Sequence, residues 1–236
     1  MKKFFSIVVL SLLVMSVSAQ QINDPNVEVR PLKGFNSIKI SNAIDLYLSQ
    51  GNEEAVAVSA DKVAWRNHIK TAVQGGVLKI WYENTGDGFK MGNRKLKAYV
   101  SVRDLLSLDA SGACDVVIAG RMTGGDVRIE MNGASDFRGT IDFRSLDLKL
   151  NGASDANITG KVVSLKVDAN GASDLKGYEL ETDMCTAEAS GASDIKITVN
   201  KELNARASGA SGVYYKGKGV IRDIKSSGAS SISKKD

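Results

Sequence analysis

From residue 127 onward, apolar and polar side chains alternate with a period of two. Val127, Ile129 and Met131 lead to Phe137, Leu146, Leu148 and Leu150 lead to Ala156 and Ile158, and Leu165, Val167 and Ala169 lead to Leu175. That is the period of a β-strand with one buried face. A five-residue phrase punctuates the alternation: SGACD at Ser111 to Asp115, NGASD beginning at Asn132, Asn151 and Asn170, SGASD at Ser190, SGASG at Ser208 and SGASS at Ser227. The glycines Gly112, Gly133, Gly152, Gly171, Gly191, Gly209 and Gly228 lie 21, 19, 19, 20, 18 and 19 residues apart. A fixed period near 19 residues marks a solenoid.

Such a repeat is too short for a strand, a crossover helix and a return, and no 3.6-residue pattern separates the motifs. Each repeat is therefore read as one coil of two or three short strands. The predicted fold is all-β, a single-stranded parallel β-helix with coils of about 19 residues, right-handed as parallel crossovers generally are. Coils stacked about 4.8 Å apart make six intervals a rod roughly 29 Å long. Carried through the motif, the parity turns Gly and Ser inward and Asn, Ala and Asp outward, the inward Ser needing a carbonyl or another Ser as partner. A positive φ at Gly is the alternative, and it breaks the parity locally.

The outward charges fit in-register stacking. Five residues before the motif Gly, successive copies carry Arg128, Asp147 and Lys166, and three before it Glu130, Lys149 and Asp168. Opposite signs then meet coil on coil, each pair contributing a few tenths of a kcal/mol on an exposed face. The pattern fades where Glu188 follows Asp168. These columns are read as register control.

The chain divides into three parts: residues 1–19, 20–105 and 106–236. The first opens MKKFFSIVVLSLLVMSVSAQ, with Lys2 and Lys3, an apolar run from Phe4 to Val17, and a small-residue site at Val17-Ser18-Ala19. This is a secretory signal peptide cut after Ala19; the run is short of the roughly 20 residues that span a bilayer. The second part lacks the motif but reads as β, with strands at Ser37 to Ile40, Ile44 to Leu48, Ala55 to Ser59, Val77 to Tyr82 and Leu96 to Val102. One short helix is expected within Lys62 to Lys70, and a projecting loop at Asn84 to Asn93. This part caps or begins the solenoid, whose exposed ends otherwise invite edge pairing. The third part is the GASD-repeat β-helix; Lys234 and Lys235 at its end discourage pairing of the last coil.

Charge and rare residues narrow the chemistry. Removing Lys2 and Lys3 with the signal lowers the formal charge from +4 to +2, a nearly neutral surface unlike that of a nucleic-acid binder. Cys114 takes the inward Ser place of the first motif, Cys185 shares the inward parity, and stacking holds them about four coils or roughly 19 Å apart, beyond disulfide reach. Two buried free thiols are expected.

Asp115, Asp136, Asp155, Asp174 and Asp194 form an outward column. Carboxylates stacked at about 4.8 Å repel by roughly 1 kcal/mol in water-like surroundings. Hydrogen bonds to turn amides with solvation offset this in the adopted reading; a row of bound Ca²⁺ is the cofactor alternative and makes these five the cation candidates; a catalytic pair is the third. No nucleophile elbow, phosphate loop or Cys/His metal spacing occurs, so no catalytic, cofactor-binding or metal residue is assigned. His68 is read as a surface or capping residue, and Trp65, Trp81 and Tyr82 as packing residues with sugar stacking as the alternative. One of Tyr214 and Tyr215 faces out.

The stretch Phe35 to Asn84, FNSIKISNAIDLYLSQGNEEAVAVSADKVAWRNHIKTAVQGGVLKIWYEN, followed by the GASD repeats, resembles the putative auto-transporter adhesin family with the head GIN domain over about Phe35 to Ile232. Members are mostly secreted or periplasmic proteins of Bacteroidota, so the resemblance implies a β-helix-like fold and an adhesin-type role. The expected function is surface binding or adhesion by a secreted, non-enzymatic envelope solenoid, periplasmic or at the cell surface, with a glycan or an envelope or host surface component as partner. No nucleic-acid partner and no membrane span after signal removal are expected, and homo-oligomers are compatible. A polysaccharide hydrolase or lyase, and a self-assembling structural protein, are the alternatives.

Overall fold

The computed structural model describes residues 24–84 and 94–236; the signal peptide and all of the expected loop except Asn84 lie outside them. The elements in order are β1 (Glu28–Arg30), β2 (Ser37–Ser41), β3 (Ile44–Gln50), β4 (Ala55–Ala60), α1 (Val63–Arg66), β5 (Ile69–Gln74), β6 (Val77–Tyr82), β7 (Leu96–Val102) and β8 (Ser107–Gly112). Then follow β9 (Asp115–Gly133), β10 (Asp136–Gly152), β11 (Asp155–Gly171), β12 (Asp174–Gly191), β13 (Asp194–Gly209), β14 (Gly212–Lys216), β15 (Val220–Gly228) and β16 (Ser231–Lys234).

The period of the sequence is the circuit of the solenoid. Each of β9 to β13 runs a full turn between successive motifs, leaving the strand only at the motif's Ala-Ser step. Neighbouring coils pair in parallel, Asp136 with Asp155 through to Gly152 with Gly171. The coils that depart from 19 residues lose or gain their extra residues at bulges, between Arg138 and Thr140, between Asn157 and Gly160, and twice between Gly177 and Met184. Motifs consequently stay in register although their spacing varies.

The inward set is the one that the alternation picks out. Leu146, Leu148, Leu150, Ala156, Ile158, Val167, Ala169 and Leu175 are each 0% exposed, within one apolar core that runs from the first strands to the last coils. Cys114 and Cys185 are buried and unpaired. Tyr215 is buried and Tyr214 half-exposed.

The amino-terminal strands stack out of chain order. β2 lies between β6 and β8, and β3 between β7 and β9, all parallel. Spatially, β6 and β7 form the outermost coil, β2 and β3 the next, and β8 with the start of β9 the third. Antiparallel strands then close the end: β4 on β7, β1 on β4, and β5 on β6. The Gln74-Gly75-Gly76-Val77 turn joins β5 to β6 through two positive φ angles, 56° and 76°, the geometry of a tight hairpin. The helix is a single turn inside the expected Lys62 to Lys70 span, and it ends there because Ile69 is buried and pairs with Tyr82, so the chain is already strand at Lys70.

Candidate binding surface

Each motif builds one corner. Ser135, Ser154, Ser173 and Ser193 are 0% exposed, as the inward reading requires. The hydroxyls of Ser135, Ser154 and Ser173 donate to the carbonyl three residues back, Ser154 Oγ to Asn151 at 3.0 Å, and all four accept the backbone N–H of the equivalent residue one coil earlier, Cys114 for Ser135 and Ser135 for Ser154 at 3.3 Å. The result is a buried relay that satisfies an N–H otherwise orphaned at the corner. The motif glycines, by contrast, are exposed, and the alternative of a positive φ is the one realised. Gly152 has φ +85°, and a Cβ there would sit 2.5 Å from the carbonyl oxygen of Gly133, which accepts the N–H of Ala153 at 2.7 Å.

Outside the corners run parallel rows. Asn132, Asn151 and Asn170 form an amide ladder, with Asn151 donating to Asn132 at 3.0 Å and Asn170 to Asn151 at 3.3 Å, and Ser190 donates its hydroxyl to Asn170. Beside it are the two charged columns: in one Arg128 lies 3.8 Å from Asp147, and in the other Arg206 lies 3.4 Å from Glu188. Asp168 and Glu188 are stacked like charges, as expected. At the carboxyl-terminal end these rows line a shallow groove of about 510 Å³ formed by Asp168, Asn170, Glu188, Ser190, Arg206 and Ser208 with the last coil.

On the other side of the corners the five aspartates stack as one column, Asp115 with Asp136, then Asp155, Asp174 and Asp194. Asp155 Oδ1 accepts the N–H of Asp174 at 3.3 Å, and Asp174 Oδ1 that of Asp194 at 3.1 Å. Arg138 lies 2.8 Å from Asp136 and Lys176 3.2 Å from Asp155. Amides and cations thus share the charge of the column. Among the described residues no group of three or more His, Cys, Asp or Glu is arranged to hold a metal ion.

A sixth carboxylate belongs to this column. Ser41-Asn42-Ala43-Ile44-Asp45 is a further copy of the corner, with Ser41 paired to Ser111 and Leu46 to Val116. Asn42 occupies the Gly place with φ 69°, Ala43 follows at 57°, and Ile44 is buried in the Ser place. Asn tolerates the left-handed region better than most side chains. Burial, and then the neighbouring Asp115 carboxylate, push the Asp45 carboxyl above its usual range. Alternation alone marks β3 as a strand, but without the glycine the corner is recognisable only by the SxAxD skeleton.

The remaining candidates scatter. Tyr47 and Tyr99, beyond Asp45, stack at 5.2 Å between ring centroids, a pairing that sequence spacing does not reveal. Trp65 and Tyr82 pack partly buried on the core at the cap, with the guanidinium of Arg94 over both rings and His68 5.8 Å from Tyr82. Trp81 is half-exposed on β6.

A profile of one protein family, described as putative auto-transporter adhesin, head GIN domain, matches residues 34–219. The chain belongs to that family. Among solved structures, the head GIN chain is similar to a putative adhesin from Bacteroides fragilis, with TM-score 0.77 and 19% identity over 89% of this chain and 96% of that one. It is also similar to a putative lipid binding protein from Parabacteroides distasonis, with TM-score 0.69 and 18% identity over 91% and 98% of the two chains. A putative adhesin from Parabacteroides merdae gives TM-score 0.70 and 15% identity over 91% and 98%. At these identities the likeness is one of fold. No curated protein matches the chain. Among the described residues no helix is long and apolar enough to cross a membrane.

Proposed function

We propose that this head GIN protein is a secreted, non-enzymatic adhesion module whose outward rows bind an extended surface polymer of the cell envelope or host, a glycan being the best chemical match. The observation that carries this reading is repetition: amide, hydroxyl and charged side chains recur coil after coil, as in the Asn132, Asn151 and Asn170 ladder. A hydrolase needs an acid and a base converging on one bond, whereas a polymer with its own repeat is engaged by equivalent groups in a row. Each single contact is weak, and avidity along the row supplies the affinity. Secretion rests on residues 1–19, whose removal leaves Gln20 as the first residue.

The test is a glycan-array screen of the chain from Gln20 onward, with and without Ca²⁺, followed by product analysis on every bound glycan. Saturable binding without turnover, weakened in an Asn151→Ala/Asn170→Ala variant, is the expected result. Turnover would replace the adhesion reading with the enzymatic one. Loss of binding in chelator would assign the Asp115, Asp136, Asp155, Asp174 and Asp194 column as a cation site. Absence of any binding would favour a self-assembling structural protein.

A further inference from the structure

The two ends of the solenoid are finished differently. At the amino-terminal end the outermost coil is closed by β1, β4 and β5, all antiparallel. At the other end, among the described residues, β15 pairs only with β13, and β16 only with β14, so each keeps a free edge.

The core approaches that open end by shrinking. One inward column runs Met131, Leu150, Ala169, Ala189, Ala207, Ser226, and its neighbour runs Ile129, Leu148, Val167, Ala187, Ala205. Small and then polar residues are what a terminal coil facing water requires. The neighbouring column does not finish that way: after Ala205 comes Ile224, 40% exposed, with Ile221 at 42% and Val220 at 59% on the same strand. A large apolar residue thus reappears on a strand that, among the described residues, has no further coil over it.

We infer that β15 pairs antiparallel with β15 of a second copy, joining two solenoids end to end about a two-fold axis. The charges of the strand select this occupant. The register that pairs β15 over its full nine residues, Val220 to Gly228, sets Ile224 against its symmetry mate and each Asp223 against Lys225 of the other copy. Opposite charges facing across strands are favourable and like charges are not. Within its own chain Lys225 stacks on Arg206, a like-charge neighbour, and both reach the same carboxylate, Asp223, at 3.6 and 3.8 Å; Asp223 of the second copy adds a further acid where two bases share one. The amino-terminal end keeps edges of its own, since β5 pairs with β6 and β1 with β4 alone among the described residues, but a two-fold pair of β15 strands is isologous and uses up that edge on both copies, so it closes at a dimer. A single strand pair is at the small end of specific interfaces, which places the dissociation constant on the order of 10 µM.

Sedimentation equilibrium of the chain from Gln20 onward, between about 1 and about 200 µM, reads the association. Wild type is expected to shift from monomer to dimer over that range. Asp223→Lys and Lys225→Asp each set two like-charge pairs across the axis and raise the dissociation constant about tenfold or more, while the double exchange restores dimerisation to within about threefold. Lys225→Asp exchanges an exposed contact with Asp223 for one with Arg206, so its monomer melts within a few degrees of wild type, which separates lost pairing from lost folding. Because Cys114 and Cys185 are buried, an Ile224→Cys variant reports geometry: mild oxidation links it into a disulfide dimer, and a Val220→Cys variant stays unlinked. A wild type monomeric throughout the range, a double exchange that fails to rescue, or equal cross-linking of the two cysteine variants would overturn the proposal.

Discussion

The corner glycines face two demands at once, a left-handed backbone and a neighbouring coil too close to admit a side chain, and two single substitutions separate them. Gly120 has φ +85° with open space where a Cβ would go, whereas Gly152 has the same φ with the carbonyl oxygen of Gly133 2.5 Å from that position. Gly120→Ala therefore incurs only the left-handed penalty of about 1–2 kcal/mol, reduced by the roughly 0.4–1 kcal/mol that Ala gains from a less flexible unfolded chain. A net loss of about 1 kcal/mol follows. Gly152→Ala adds the displacement of the Gly133 carbonyl, which accepts the Ala153 N–H at 2.7 Å; a hydrogen bond given up at this exposed corner costs about 0.5–1.5 kcal/mol more. For a chain of this size about 1 kcal/mol shifts the melting temperature by roughly 2–4 °C. Thermal unfolding followed by circular dichroism should then show Gly120→Ala lowered by about 3 °C and Gly152→Ala by about 5–8 °C. Equal losses for the two variants would refute the claim that coil-on-coil contact, rather than φ, makes the glycine column indispensable.

Other outcomes follow from the same contacts. Ser154→Ala removes the hydroxyl that accepts the Ser135 N–H and should cost about 1–3 kcal/mol in denaturant titrations, with Ser154→Cys intermediate because Cys114 already fills an equivalent place. Asp45→Asn should raise the melting temperature at pH 7 by a few degrees and give no gain near pH 3. The native carboxyl titrates above the unfolded one, so its contribution is favourable at low pH and is lost as pH rises through the native value. Burial pushes the Cys185 thiol from 9.0 up to about 12. Folding therefore opposes thiolate formation, stability falls as pH climbs above about 9, and a thiol reagent at pH 8 should label no cysteine in native protein and both in denaturant.

The solenoid is legible in the sequence because two periods coincide. Alternation assigns the inward residues, and the recurrence of Gly near every nineteenth residue assigns the coils. What escapes this logic is geometry that tolerates more than one residue. Asn42 reaches φ 69° without being glycine, and Ile44 fills the Ser place because its neighbours Leu46 and Ile40 are also buried, so the first corner looks like ordinary strand sequence. β5 has only one fully buried residue, Ile69, and its alternation is too faint to be separated from the short helix before it. The inward parity holds on both sides of each corner yet fails at the glycine, because the backbone turns there instead of continuing the pleat. The charged columns and the aspartate column are legible in the sequence, but the Tyr47 and Tyr99 pair requires knowing that β7 returns beside β3.

That return gives the molecule a direction of unravelling. A solenoid whose coils stack in chain order can peel from either end, one coil at a time, because each terminal coil has a single neighbour. Here β2 is held between β6 and β8, and β3 between β7 and β9, so the first coil is clamped by chain that comes after it and cannot leave before that chain does. Within its own chain, among the described residues, the last coil has one neighbour and no clamp. Force, heat or a processive protease should therefore take the protein apart from Ser231 backwards, leaving the amino-terminal block as the last structure to yield and the natural fixed end for any load carried along the rod.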